Sequence, residues 1–229
     1  MVTMRPQRYD AETTERERAA LRRAIAETKP FGAHLEIGTA AGATLVDMIT
    51  IFAPGARPRF VVVDPLTYFA NQRASIEANL RAAGVEPAEV ELRVGLSWPI
   101  YREARKRDER YVFQFIDGNH EPKYVMRDLS WTSLLVVGGG VCLHDHSAEF
   151  PGVRVAVGWF LRRNRNFEIV GQVDSLVTIR KTSEGRRVTV SVLQRRSAEA
   201  LGVAMQWRRS LQKRWRRLSG RGRQIRTSG

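Results

Sequence analysis

Residues 34–48 read HLEIGTAAGATLVDM. A short apolar run stops at Gly38, small residues follow to Gly42, and an apolar pattern with helical spacing resumes at Leu45. A strand, a glycine turn and a helix in this order open an α/β unit whose backbone can approach a ligand closely, because glycine has no Cβ. A dinucleotide site would read G-x-G-x-x-G. Here the pattern is E-x-G-x-x-x-G, and the acid at Glu36 suits a cationic ligand better than a pyrophosphate. Taken alone, such a turn is also an ordinary tight connection between a strand and a helix.

Outward from this unit, β-branched runs alternate with helix-like segments: RFVVVDP then NQRASIEANLRAAG, EVELRVG then SWPIYREARKRD, YVFQFIDG then EPKYVMRDLSWTSLL, and GGVCLHD then GVRVAVGWFLRRN. Five strand and helix pairs indicate a parallel sheet covered on both faces, with ligands at the carboxyl ends of the strands. The segment FEIVGQVDSLVTIRK adds two strands around residues 173–175, too close for a crossover helix and therefore an antiparallel pair. The expected fold is a Rossmann-like, doubly wound, seven-stranded, mostly parallel sheet with an antiparallel last strand. A leading helix in residues 1–30 carries a capping box from Thr14 to Glu17. The main domain is expected over residues 31–182 and a basic extension over 183–229, comprising an edge strand in EGRRVTVSVLQRR, an amphipathic helix and a disordered end.

The net charge of +14 belongs to that extension. From Arg180 onward, 15 Lys/Arg face Glu184 and Glu199, which leaves +1 for residues 1–179. Arguments for acidic partners therefore concern the tail alone. Cys142, the single cysteine, sits in an apolar run and is expected to be buried and reduced, which favours the cytoplasm. The N-terminus has no signal-peptide core, and LLVVGGGVCL is too short to span a bilayer.

The strand ends carry the cofactor expectations. Asp64 ends the second strand, where a carboxylate accepts hydrogen bonds from ribose hydroxyls, and Ser97 follows the third, where it can meet an adenine edge. With the glycine turn, these residues give residues 30–182 a resemblance to the class I S-adenosylmethionine-dependent methyltransferases. The resemblance implies that Glu36, Gly38, Thr39, Ala40 and Gly42 surround the methionine part of S-adenosyl-L-methionine, with Asp64 on the ribose, Ser97 on the adenine and Asp117 also beside the cofactor.

The fourth and fifth strands end in FIDGNH (115–120) and LHDHS (143–147). Side by side, they bring Asp117 together with His144, Asp145 and His146; carboxylates suit Mg²⁺, and a histidine ligand widens the choice towards Mn²⁺ or Fe²⁺. The stretch 115–145 also resembles the small-molecule O-methyltransferases related to macrolide-sugar and aminocoumarin-sugar methyltransferases, and the cephalosporin hydroxylase-like proteins. That resemblance implies a divalent metal held by Asp117, His144 and Asp145, with His144 standing where the branch carries a carboxylate. Asn119 stands where the sugar enzymes carry an aspartate base, so the proton acceptor must be sought in His120 or His146. Asp128 and Trp131 read as structural residues of the following helix.

The leading expectation is thus a metal-assisted O-methyltransferase acting on a sugar or another hydroxylated small molecule. An RNA methyltransferase guided by the basic tail and a cofactor-binding scaffold without turnover are the alternatives. In the tail helix, Leu201, Ala204, Leu211, Trp215 and Leu218 share one face and Arg209, Lys213, Arg216 and Arg217 another. Residues 197–226 are expected either to pack on the domain or to meet an anionic membrane surface, where a lipid-linked sugar would be a natural acceptor; nucleic acid is the less favoured partner. Peripheral attachment to the membrane and a second copy of the chain remain further expectations.

Overall fold

Strands form where β-branched and aromatic residues run together: β1 (His34–Ile37), β2 (Phe60–Asp64), β3 (Val90–Val94), β4 (Tyr111–Ile116), β5 (Leu135–Leu143), β6 (Phe167–Val173) and β7 (Leu176–Lys181). The computed structural model describes residues 12–28, 31–185 and 188–221, with side chains as far as Met205 and at Trp207. The sheet order is β3-β2-β1-β4-β5-β7-β6. The first five strands pair in parallel, and β7 runs antiparallel to both β5 and β6. This is the expected seven-stranded sheet, and strand order reverses between β1 and β4, the place where such sheets open a ligand crevice.

Alternation along the strands assigns each face its helices. Phe60, Val62, Phe113, Phe115 and Cys142 pack beneath α1 (Glu15–Ala26), α2 (Ala43–Ile49) and α3 (Gln72–Ala82). Leu35, Ile37, Val61, Val63, Val141 and Leu143 pack beneath α4 (Ser97–Lys106), α5 (Pro122–Asp128) and α6 (Pro151–Arg163). Cys142 is fully buried, and burial pushes its thiol up to about 12, so it behaves as a small apolar residue. No helix among the described residues is long and apolar enough to cross a membrane.

Two segments depart from the sequence reading. The helix expected through Leu135 ends at Asp128 and tightens into a 3₁₀ turn over Leu129–Leu134. Ser130 and Thr132 cause this, donating to the carbonyls of Met126 and Leu129 at 3.1 and 2.7 Å. The expected edge strand does not form in residues 188–191. There Thr189 and Val190 are buried, with the Thr189 carbonyl accepting from Asn164 and its hydroxyl pairing with Thr132. Side chains thus satisfy the groups a ladder would have used.

The chain then enters α7 (Val192–Arg221), capped by Ser191, whose hydroxyl accepts from the Gln194 N–H while Gln194 accepts from the Ser191 N–H. Residues 194–205 of α7 lie on the domain through Ala198, Gly202 and Met205. Arg195 stacks on the Trp98 ring at 4.4 Å, and Arg127 pairs with Glu199 at 2.9 Å. Ala204 is exposed, so the packed face differs from the expected one by a rotation that substitutes Gly202 and Met205 for it. The basic residues from Arg208 onward, on which the membrane and RNA expectations rest, fall outside the described side chains. The expected disordered end, residues 220–229, lies mostly beyond the described residues.

The tightest backbone constraint is at Gly38. Its φ is +79°, and a Cβ there would stand 2.3 Å from the Asp117 carbonyl oxygen. Gly55, at φ +82°, has open space around it. Gly55→Ala is expected to cost about 1–2 kcal/mol, the left-handed backbone penalty alone. Gly38→Ala should cost clearly more, because the neighbouring backbone must also move. Thermal denaturation of the two variants checks the difference; equal midpoints would contradict it.

Candidate active site

The turn after β1 is wound by positive φ at Gly38, Ala40 and Gly42 and is held by Asp64. One carboxylate oxygen of Asp64 accepts the Thr39 N–H at 2.9 Å; the other accepts the Leu66 N–H at 2.6 Å and the Gln72 side-chain amide at 3.1 Å. Three of about four acceptor sites on this carboxylate are therefore occupied by the protein. Asp64 still lines a cavity of about 720 Å³ that runs across the carboxyl ends of β1, β2 and β4. Glu36, Gly38, Thr39, Ala40, Ser97 and Asp117 line the same cavity, so the residues expected around a cofactor are gathered on one wall, while Gly42 anchors the turn against Ile76.

Glu36 is the unusual member. Its side chain is buried, and among the described residues neither carboxylate oxygen has a hydrogen-bond partner. Burial drives its pKa well above the ordinary carboxylate range against the weaker downward pull of the neighbouring Thr39 side chain, and the charges of Asp117 and Asp64 add to the rise. A buried acid without a donor is costly until a cation or a donor reaches it, and the open cavity is the side from which one can come. The positively charged methionine end of S-adenosyl-L-methionine fits that requirement.

Ser97, the first residue of α4, accepts the Trp131 indole N–H at 2.9 Å and also bonds Asp128. Burial pushes Asp128 up to about 7, against the opposing pull of Ser97 and Arg127. The two residues read as structural thus fix the orientation of Ser97, and Asp128 itself reaches the cavity wall.

At the ends of β4 and β5, four groups converge. His120 Nε2 lies 2.8 Å from Asp145 and 4.0 Å from Asp117. His144 Nδ1 lies 3.2 Å from Asp117 and 3.5 Å from Asp145. Asp117, His120 and Asp145 each offer a ligand atom within 4.8 Å of the others. Asp145 reaches back because its backbone adopts φ +58°. The neighbouring carboxylates of Asp117 and Asp145 push His120 up to about 9. In His144, burial works downward, yet the bonds to the same carboxylates outweigh it and raise the imidazole to about 11. Burial would raise Asp117 and Asp145, but the two imidazoles hold both below the usual carboxylate range.

The remaining candidates separate. His146 turns away from this centre: its Nδ1 meets Gln172 of β6 at 3.1 Å, and it does not line the cavity. Burial lowers its pKa. His120 does line the cavity, with its ring edge against Phe150 at 4.5 Å, and so joins the group from which His146 departs. Asn119 accepts the Glu121 N–H at 2.8 Å, forming the Asx turn that leads into α5. Sequence reasoning also missed Glu17, whose carboxylate lies 3.4 Å from His144 Nε2, 127 positions away along the chain.

The comparisons bear on the domain and the fold. Residues 35–146, from β1 to the loop after β5, match the family model described as a methyltransferase domain. No curated protein matches the chain at the sequence level. Among solved structures, the cofactor-bound protein Rv0187 from MTB superposes with a TM-score of 0.60 at 16% identity, covering 76% of this chain and 83% of that one. The O-methyltransferase TomG of tomaymycin synthesis from Streptomyces achromogenes, in complex with SAM, gives 0.59 at 18%, covering 76% and 82%. The TDP-rhamnose 3'-O-methyltransferase CalS11 of calicheamicin biosynthesis gives 0.54 at 16%, covering 71% and 76%. At these identities the structures speak for the fold, and the family model for the domain. Residues 35–146 thus match a methyltransferase domain, on a fold that the chain shares with these solved methyltransferases.

Proposed function

We propose that the chain is an O-methyltransferase that moves the methyl group of S-adenosyl-L-methionine to a hydroxyl of a small hydroxylated metabolite, a sugar or glycoside in the first instance, with a divalent cation held between Asp117 and Asp145. The observation that carries this reading is the convergence of two carboxylates and two imidazoles beside the cavity that contains the unpartnered Glu36. The O-methyltransferase activities named for TomG and CalS11 support the reaction class.

Each group has a role in this reading. Glu36 receives the charged methionine end of the cofactor, the Thr39 region closes over it, and Asp64 keeps one acceptor site for a ribose hydroxyl. Ser97, held by Trp131 and Asp128, faces the adenine. Asp117, Asp145 and the Nδ1 of His144 form a donor set of two oxygens and one nitrogen, which suits Mg²⁺ or Mn²⁺. When bound, such an ion supplies Lewis acidity that lowers the pKa of an acceptor hydroxyl. His120, on the cavity side, accepts the proton at Nε2, and Asp145 stabilises the imidazolium that results. Phe150 and Met205 give the acceptor an apolar wall.

In the metal-free chain the two protonated histidines supply the positive charge that the carboxylates need. Cation binding must displace that charge, so Mg²⁺ affinity is expected to rise as pH increases from about 6.5 through 9. The linkage sign for stability follows from the raised histidines. Their contribution is complete below about 6.5 and is lost as pH rises through the folded value of about 9 for His120. The thermal midpoint of the metal-free chain should therefore fall over that window, and saturating Mg²⁺ should remove the fall. A midpoint that is flat over the window, or a fall that persists unchanged with Mg²⁺, would contradict the assignment.

Calorimetry with S-adenosyl-L-methionine tests the cofactor half. Glu36→Ala is expected to weaken binding about 10- to 100-fold, the loss of one charge-assisted contact; unchanged affinity would remove Glu36 from the site. For the chemical half, methyl transfer to a panel of sugars and vicinal diols should stop with a chelator and return with Mg²⁺. Asp145→Asn should lose that metal response while retaining cofactor binding. Full activity in the chelated enzyme would end the metal proposal.

A further inference from the structure

The acid that faces the back of His144 comes from the other end of the chain. Glu17 lies in the first turn of α1, 2% exposed, and besides the cap with Thr14 its carboxylate meets two other parts of the sheet. One oxygen accepts the N–H and the hydroxyl of Ser175, at 2.9 and 2.7 Å, in the turn between β6 and β7. The other accepts the Thr14 N–H at 2.8 Å and faces His144 Nε2 at 3.4 Å. The opposite nitrogen of the same imidazole, Nδ1, faces Asp117 and Asp145. The ring is therefore strung between a buried carboxylate behind it and two carboxylates in front.

An imidazole that binds a metal through one nitrogen commonly donates its other N–H to a carboxylate, which fixes the tautomer and turns the ligand atom towards the ion. We infer that Glu17 is a positioning residue of the metal centre: it holds the Nε2–H of His144 and so presents Nδ1, unprotonated, to a divalent cation between Asp117 and Asp145. This deepens the proposed function and rests on its metal reading. It assigns a role to α1, an element outside the segment matched as a methyltransferase domain. It also explains why a helix-capping acid is almost wholly buried, since the reciprocal cap with Thr14 asks only for a surface residue.

Glu17 is also a structural residue, so the test must separate its two duties. Mn²⁺ titration followed by electron paramagnetic resonance is run on the full chain and on Glu17→Gln and Ser175→Ala. Ser175→Ala removes the hydroxyl contact to Glu17 and leaves the His144 side of the carboxylate in place. Glu17→Gln is expected to bind Mn²⁺ about 10- to 100-fold more weakly. Ser175→Ala should lower the thermal midpoint while leaving Mn²⁺ affinity as in the original chain. Mn²⁺ affinity in Glu17→Gln equal to the original overturns the inference while leaving the metal reading intact. No Mn²⁺ binding by the original chain overturns the metal reading itself.

A second measurement needs no variant. Nitrogen NMR of His144 in the Mg²⁺-loaded chain is expected to show a protonated Nε2 and an unprotonated Nδ1. The reverse tautomer overturns the inference.

Discussion

The carbonyl of Asp117 occupies the space where any side chain on Gly38 would stand, and this contact joins the two halves of the site. Around it the strand ends are locked to one another: the Asp117 N–H donates to the Ile37 carbonyl at 2.8 Å and the Gly38 N–H to the Val63 carbonyl at 3.0 Å. The glycine turn and Asp117 are therefore a single rigid junction at the reversal of strand order. In the proposed reaction, methyl transfer in line would require donor and acceptor to be held at near-contact distance, and a junction built from backbone would provide that without relying on flexible side chains.

The same closeness sets an electrostatic problem. Glu36, Asp64, Asp117 and Asp145 stand near the ends of four neighbouring strands, β2, β1, β4 and β5, and like charges at short range oppose one another's ionisation. The protein resolves most of it internally. Asp64 accepts hydrogen bonds from backbone and amide donors, while Asp117 and Asp145 share His120 and His144. Glu36 alone is left unanswered, with its pKa driven up by burial. In the proposed function, the unpaired acid at the glycine turn would receive an organic cation and the two acids paired with imidazoles an ionic one.

Much of this was legible in the sequence because it depends on local pattern. The alternation of apolar runs with helical spacing gave seven strands in the expected places, and acids at the ends of β4 and β5 pointed to one site once those strands were seen to be neighbours. What could not be read was long-range or depended on side-chain direction. Glu17 announced itself only as a cap, since nothing local ties it to His144 or Ser175. LHDHS contains two histidines, His144 expected at the metal and His146 as a base, and the structure turns His144 inward and His146 towards Gln172. Residues 188–191 have the alternation of a strand, but Asn164 and Thr132 bind that segment first. The cap of α7 by Ser191 and Gln194, by contrast, was present in the sequence as a plain S-x-x-Q and went unread.

The direct measurement is a crystal structure grown with S-adenosylhomocysteine and Mn²⁺, with anomalous scattering used to locate the ion. The expected result is an anomalous peak between Asp117 and Asp145, within coordination distance of His144 Nδ1, and the amino group of the bound cofactor product against Glu36. A cofactor bound at the glycine turn with no anomalous peak between these two carboxylates, or with the ion elsewhere, would contradict the metal-assisted mechanism proposed for this site.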